Sequence, residues 1–223
     1  LYEKASATVV IDHHRKSVDY IKDALIFFHD PNASSTCEMV TELMRYITPA
    51  PSLSAAEAQA MLAGIMLDTK EFVLSTGVRT FEAAAFLKGK GADTVAVKRL
   101  FSNSIESNRK RSEIISAAHI YRGCAIACTA PGTENARLLS AQAADELLGI
   151  TGVKASFVIY ETNGVINISA RSMGACNVQI VMESLGGGGH LTMAATQLNC
   201  SMNEARKRLA DAIDEYWENN SQE

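Results

Sequence analysis

The chain has no run of apolar residues approaching the ~18 needed to cross a membrane as a helix, which excludes a spanning helix within these residues. Aromatic residues make up 6% of the sequence, with a single Trp, and there are only 4 Pro. An excess of positive charge is also missing. The formal net charge of −4 argues against a general polyanion-binding surface, and therefore against duplex DNA as a partner, while leaving room for a local basic pocket. The five cysteines (37, 124, 128, 176 and 200) are odd in number and scattered, with no zinc-finger spacing; they read as reduced thiols of a cytosolic protein. Internal repeats, low-complexity tracts and a signal peptide are all lacking. The sequence opens Leu1-Tyr2-Glu3-Lys4 without Met, which reads as the interior of a longer protein. What remains, 47% apolar and 21% charged residues over 223 positions, is the composition of one large or two small globular domains.

The most informative stretch is Thr-Val-Val-Ile-Asp-His-His at residues 8 to 14. Thr8, Val9, Val10 and Ile11 have the composition of a fully buried strand, and reactive groups in open α/β sheets collect just beyond the carboxyl ends of such strands. Asp12, His13 and His14 stand at that position, and both residue types ligate divalent transition metals. The alternative is a strand running into a polar loop with two exposed histidines. Ala24 to Phe28 reads as a second strand. Ser35 and Ser54 each precede a Glu by three positions, the pattern of a capping box, and open helices that run to about Ile47 and Phe72. Residues 79–90 and 93–101 read as further helices, giving the strand-then-helix order of an α/β unit.

Composition turns polar at residues 102–112, and a linker helix over 103–118 is expected to join two domains, 1–102 and 119–223. In the second domain Ala125 to Thr129 and Ala155 to Tyr160 are strand-like, with a helix over 138–148 between them. Thr162-Asn163-Gly164 is a hairpin turn with 165–170 as the returning strand. Ser201 with Glu204 opens a final amphipathic helix.

Three further features could carry chemistry. Gly186 to Gly189 is a run of four glycines before His190; with 14 Gly in the chain, chance gives such a run roughly 0.003 times per sequence. Bare backbone amides of Gly187, Gly188 and Gly189 can approach a phosphate or base closely, and a helix starting at His190 would add its dipole; the competing reading is a flexible loop tip. Arg171, followed by Ser172, can fork onto phosphate oxygens or simply be solvated at a strand end. Asp68 follows eight apolar or small residues, so it is either a carboxylate paired with a cation or the solvent-facing end of its helix. Ser34 and Ser35 are placed to help hold a ligand, although Ser35 is already explained as a cap.

Taken in order, Asp12-His13-His14, Ala33-Ser34-Ser35-Thr36, Gly64-Ile65-Met66-Leu67-Asp68-Thr69, Ser169-Ala170-Arg171-Ser172 and Gly186 to His190 resemble the DHH phosphoesterases with their DHH-associated C-terminal domain. The resemblance covers the whole chain. Asn177 to Leu185 looks like the GdpP/YybT branch, the cyclic-di-AMP phosphodiesterases. The resemblance implies an α/β fold: a truncated DHH parallel-sheet domain plus a smaller α/β nucleotide-binding domain. It implies two Mn²⁺ ions, with His13 and Asp68 as metal ligands, Asp12 orienting the site and His14 contacting the scissile phosphate or the attacking water. Arg171, Ser172, Gly187, Gly188, Gly189 and His190 would grip a cyclic dinucleotide substrate, hydrolysed to linear 5′-pApA by two-metal catalysis. The family also has an earlier His-x-x-x-Asp-x-Asp motif and a bridging Asp, and neither stands before Asp12 here. The chain is therefore expected to bind metal weakly and to hydrolyse little by itself. The resemblance further implies upstream membrane helices and sensor domains that hold the protein at the cytoplasmic face, with no membrane contact by these residues, and it admits a homodimer. Alternatives are an oligoribonuclease or 3′-phosphoadenosine-phosphate phosphatase of the same superfamily, or a nucleotide-binding module without catalysis.

Overall fold

A computed structural model of the chain describes residues 4–220 other than 15, 17–19, 48 and 50. The Leu1, Tyr2 and Glu3 start and part of the polar link after His14 lie outside the described residues. The chain divides into two compact units, Leu1–Ser102 and Asn103–Glu223.

In the first unit, β1 (Val9–Asp12) and β2 (Ile26–His29) pair in parallel, Val9 with Ile26 through Asp12 with His29. Four helices follow: α1 (Thr36–Met44), α2 (Ala55–Asp68), α3 (Val78–Gly89) and α4 (Thr94–Leu100). Ser35 caps α1 by accepting from the Glu38 amide, and Ser54 and Glu57 close a full capping box at α2. Ala58, Leu62 and Ile65 of α2 meet Ala83, Leu87, Ala92 and Val97 in the core of this unit. Two expectations fail here. The first strand is not fully buried: Val9 and Ile26 are about half exposed, because among the described residues the sheet has only these two strands. And α2 stops at Asp68 rather than near Phe72. The buried Thr69 donates its hydroxyl to the Ile65 carbonyl and accepts from the Phe72 amide, and Lys70, Glu71 and Phe72 then take left-handed backbone angles (φ 50°, 58° and 66°), which no α-helix can continue through.

The first unit is tied together by Arg79 of α3. Its guanidinium forks onto Glu42 of α1 at 2.6 and 2.7 Å and reaches Asp30, just past β2, at 2.8 Å. Behind this fork the buried Glu38 accepts from Ser34 Oγ at 2.6 Å. Ser34 and Ser35 are thus both spent on the fold.

The second unit contains α5 (Ile105–Ser116), β3 (His119–Tyr121), β4 (Cys124–Cys128), α6 (Ala136–Leu147), β5 (Ala155–Thr162), β6 (Val165–Ser172), α7 (Val178–Glu183), β7 (Gly188–His190), β8 (Met193–Leu198) and α8 (Met202–Asn220). The strands form one sheet in the order β3-β4-β5-β6-β8-β7, antiparallel except for the parallel pair β4–β5 that α6 connects. Asn163 and Gly164, both at positive φ, make the two-residue turn of the β5–β6 hairpin. The helix expected as a linker, α5, packs against α6 as part of this unit.

Strand alternation sorts the sheet into two faces. Phe157, Ile159, Ile166, Ile168, Ala170, Ala194 and Leu198 pack under α7 and α8. On the other face Ala125, Ala127 and Val158 pack under α5 and α6. These helices leave the β8 and β7 part of that second face open: Met193, Ala195 and Gln197 are exposed. His190 ends a strand rather than starting a helix, because the glycine segment pairs with β8 (Gly188 with Ala195, His190 with Met193).

Candidate functional site

In the first unit the strand β1 delivers Asp12 at its last position, with His13 and His14 immediately after it. His13 Nε2 stands 3.5 Å from Oδ2 of Asp68, the final residue of α2. The structure thereby joins two residues that are far apart in sequence. Asp12 turns the other way along the loop, accepting from the His14 backbone N–H at 3.0 Å and facing its ring Nδ1 at 2.8 Å. The backbone hydrogen bond from His14 is the main reason that the Asp12 carboxyl sits below its ordinary pKa; the His14 and His29 rings reinforce it and burial opposes it. His29 Nε2 contacts the His14 carbonyl at 2.6 Å, and the His13 and His14 rings lie 4.4 Å apart, so the loop is braced from both sides. With Nδ1 engaged by Asp12, His14 presents its Nε2 edge outward from a side chain 72% exposed.

These residues fit part of a metal shell. Two donors 3.5 Å apart are spaced as ligands of one divalent ion at about 2.0–2.2 Å each. Among the described residues, no group of three or more His, Cys, Asp or Glu could hold an ion, so the pair is a partial shell.

The second unit brings Arg171, Gly188, Gly189 and His190 together along a cleft with two adjoining lobes. The smaller lobe, about 310 Å³, is lined by these four residues together with Arg137, Ala141, Tyr160, Ser169, Met193, Ala194 and Ala195. Its larger neighbour, about 760 Å³, shares Arg137, Tyr160 and Ala195 and adds Asn167, Gln197, Gly186 and Gly187. Arg171 is not a solvated strand end: its side chain is 11% exposed and its Nε lies 3.2 Å from Asp145 Oδ1 of α6. That N–H is not aimed at the oxygen and has no hydrogen-bond partner, while one terminal nitrogen donates to the Ala170 carbonyl. Burial raises the pKa of Tyr160, and the charges of Arg137 and Arg171 pull it back, which places a field of two guanidinium groups on this face.

Ser172 departs from its expected role. Alternation along β6 puts it on the opposite face from Arg171, where it is buried, accepts from the Gly174 and Cys176 amides and donates to the Lys154 carbonyl. The four glycines also divide. A Cβ at Gly187 would come 2.3 Å from the Ala195 carbonyl oxygen, and one at Gly189 would come 2.4 Å from the Ala194 Cα, whereas at Gly188 it would meet nothing. Gly187 and Gly189 are needed to seat the segment on β8, and Gly188 borders the cleft. Arg137, Tyr160 and Asn167 were not singled out from the sequence. The odd-numbered alternation 167, 169, 171 on β6 carried the signal for Asn167; Arg137 joins only through the packing of α6.

Two family models match the chain, one in each unit. A DHH family, N-terminal domain model matches residues 1–65, and a DHHA1 domain model matches residues 124–219. The chain is 47% identical over 98% of its length to a cyclic-di-AMP phosphodiesterase GdpP of Bacillus subtilis, and 45% identical over 97% to a cyclic-di-AMP phosphodiesterase PdeA of Listeria monocytogenes. It spans 34% of the length of each of these relatives. The crystal structure of an exopolyphosphatase-related protein from Bacteroides fragilis superposes with a TM-score of 0.80 at 25% identity, covering 94% of this chain and 64% of that one. The chain thus carries a match to the DHH family, N-terminal domain followed by a match to the DHHA1 domain.

Proposed function

We propose that this chain supplies part of the metal site and the substrate cleft of a metal-dependent phosphodiesterase that opens cyclic-di-AMP to linear 5′-pApA. The observation that carries the reading is the meeting of His13 with Asp68, in a chain whose other unit holds a cleft rimmed by Arg137, Arg171, His190 and bare glycine backbone. His13 and Asp68 would hold one of two Mn²⁺ ions, the remaining ligands coming from outside this chain. A divalent cation bound there supplies neutralisation of phosphate charge and a lowered pKa for bound water. Asp12, kept ionised by the His14 amide, fixes the His14 ring so that Nε2 faces the phosphate. Arg171 lines the smaller lobe, where its guanidinium would pair with a phosphate oxygen. We place the whole protein at the cytoplasmic face of a membrane; among the described residues no helix is long and apolar enough to cross one.

The test is Mn²⁺-dependent turnover of cyclic-di-AMP by the whole protein, followed chromatographically. His13→Ala and Asp68→Ala should each abolish it with the fold intact, since each removes a ligand of the ion that stabilises the transition state. Near-wild-type turnover in either variant at limiting Mn²⁺ refutes the ligand assignment. Faster hydrolysis of short oligoribonucleotides or 3′-phosphoadenosine-5′-phosphate than of cyclic-di-AMP refutes the substrate assignment.

A further inference from the structure

The reading above places phosphate in the smaller lobe and leaves the larger one without an occupant. At about 760 Å³ the larger lobe falls within the roughly 300–1,000 Å³ of small-molecule sites. Its floor is a row of side chains in register across three strands: Tyr160 of β5 pairs with Asn167 of β6, and Asn167 pairs with Gln197 of β8. Tyr160 is buried and Gln197 is exposed. Asn167 is the amide held in place: it is 8% exposed and bonded at 2.9 Å to the carbonyl of Val165.

That bond fixes which way the amide points. A carbonyl oxygen only accepts, so the edge turned to Val165 is Nδ2, and the other edge is Oδ1. Oδ1 accepts no hydrogen bond from the described residues and is not sealed in the interior, so it is an acceptor offered to the cleft. A fixed acceptor in a nearly buried wall selects a ligand that brings a donor, because a ligand without one leaves the oxygen dehydrated and unpaired.

We propose that the larger lobe is a base subsite and that Asn167 makes it selective for adenine, its Oδ1 accepting from the exocyclic amine. Guanine carries a carbonyl oxygen at that ring position and meets Asn167 acceptor to acceptor. The inference rests on the dinucleotide reading given above and adds the base-discriminating residue to it. Arg137, common to both lobes, lies where the sugar-phosphate link between a base in one lobe and a phosphate in the other would pass.

Calorimetric titration of the 223-residue chain with pApA, and with the analogue in which purine replaces both adenines, isolates the amine, the only group that differs between them. The wild-type chain should bind pApA about tenfold more tightly than the purine analogue. Asn167→Leu, close in size and without the acceptor, should bring pApA down to the affinity of the analogue and leave the analogue unchanged. Equal binding of the two ligands by the wild-type chain overturns the proposal while the dinucleotide reading stands, and this comparison decides the matter even if Asn167→Leu does not fold. Equal weakening of both ligands in a folded Asn167→Leu chain also overturns it, by making Asn167 a structural part of the floor. Binding of neither ligand by the wild-type chain at millimolar concentration overturns the dinucleotide reading and this inference together.

Discussion

Substituting Ala for Gly187, Gly188 and Gly189 in turn should give three separable outcomes. At Gly187 the added carbon would sit 2.3 Å from the Ala195 carbonyl oxygen and 2.5 and 2.8 Å from the Cβ and Cα of Thr196. Two of these three are backbone or Cα atoms that no rotamer change can move, so the segment must lift off β8 by about 1 Å to restore ordinary contact. Overpacking of this kind costs typically ~1–3 kcal/mol, and each β7–β8 hydrogen bond lost with it adds ~0.5–1.5 kcal/mol. A loss of about 2–4 kcal/mol is therefore expected. Gly189→Ala should fall in the same range, since its carbon meets the Ala194 Cα at 2.4 Å and its φ of 152° disfavours any side chain. At Gly188 there is open space, and Ala there should leave stability unchanged or raise it by up to about 1 kcal/mol by restricting the unfolded chain. Gly188→Ala should instead weaken dinucleotide binding, because the methyl enters the cleft. Urea unfolding followed by the fluorescence of Trp217, the one Trp of the chain and packed against the core of the second unit, reads these differences directly. A Gly187→Ala chain as stable as wild type, or a Gly188→Ala chain destabilised as much as Gly187→Ala, would refute the division.

Arg171→Ala should weaken pApA binding by about tenfold or more, as loss of a charge-assisted phosphate contact requires, whereas Asp145→Asn should not weaken it, because the Asp145 carboxylate beside the guanidinium competes with a phosphate for it; titration of both variants decides, and undiminished affinity in Arg171→Ala removes that contact from the site. Burial lifts the Cys176 thiol to about 12 and raises Cys124 as well, so both stay protonated at pH 8. A disulfide reagent at that pH should modify the partly exposed Cys128 and Cys200 in the native chain, reach Cys37 more slowly because burial raises its thiol too, and reach Cys124 and Cys176 only on unfolding; rapid native modification of all five would contradict the packing.

What the sequence made legible is what is decided locally. Ser35 and Ser54 read as caps because an N-cap needs only a hydroxyl and the next three residues, and Asn163-Gly164 read as a turn because its two positive φ angles are set by the pair itself. Asp12, His13 and Asp68 were found as separate motifs, but their meeting depends on α2 ending beside β1. The errors share a cause. The glycine segment has no propensity of its own, so its strand character comes entirely from β8 and was read as a helix start instead. Ser172 was grouped with Arg171 by adjacency, when neighbours in a strand face opposite ways. Arg137, Tyr160 and Asn167 become one wall only after α6 packs beside β5 and β6, which no local pattern encodes.

The parallel pairing of β4 and β5 has a lasting effect on how this unit can change. Because those two strands run the same way, the chain between them must travel back along the sheet, and α6 is that return path. Its place over one half of the sheet is dictated by connectivity, and the bare half is what the route leaves over. The cleft is thus a by-product of the winding rather than a cavity hollowed out of a core. Positions such as 167, 169, 195 and 197 form its floor without holding the two strands at their crossover. They form a palette on which selection can rewrite ligand preference one side chain at a time, while the helices and the opposite face keep the unit folded.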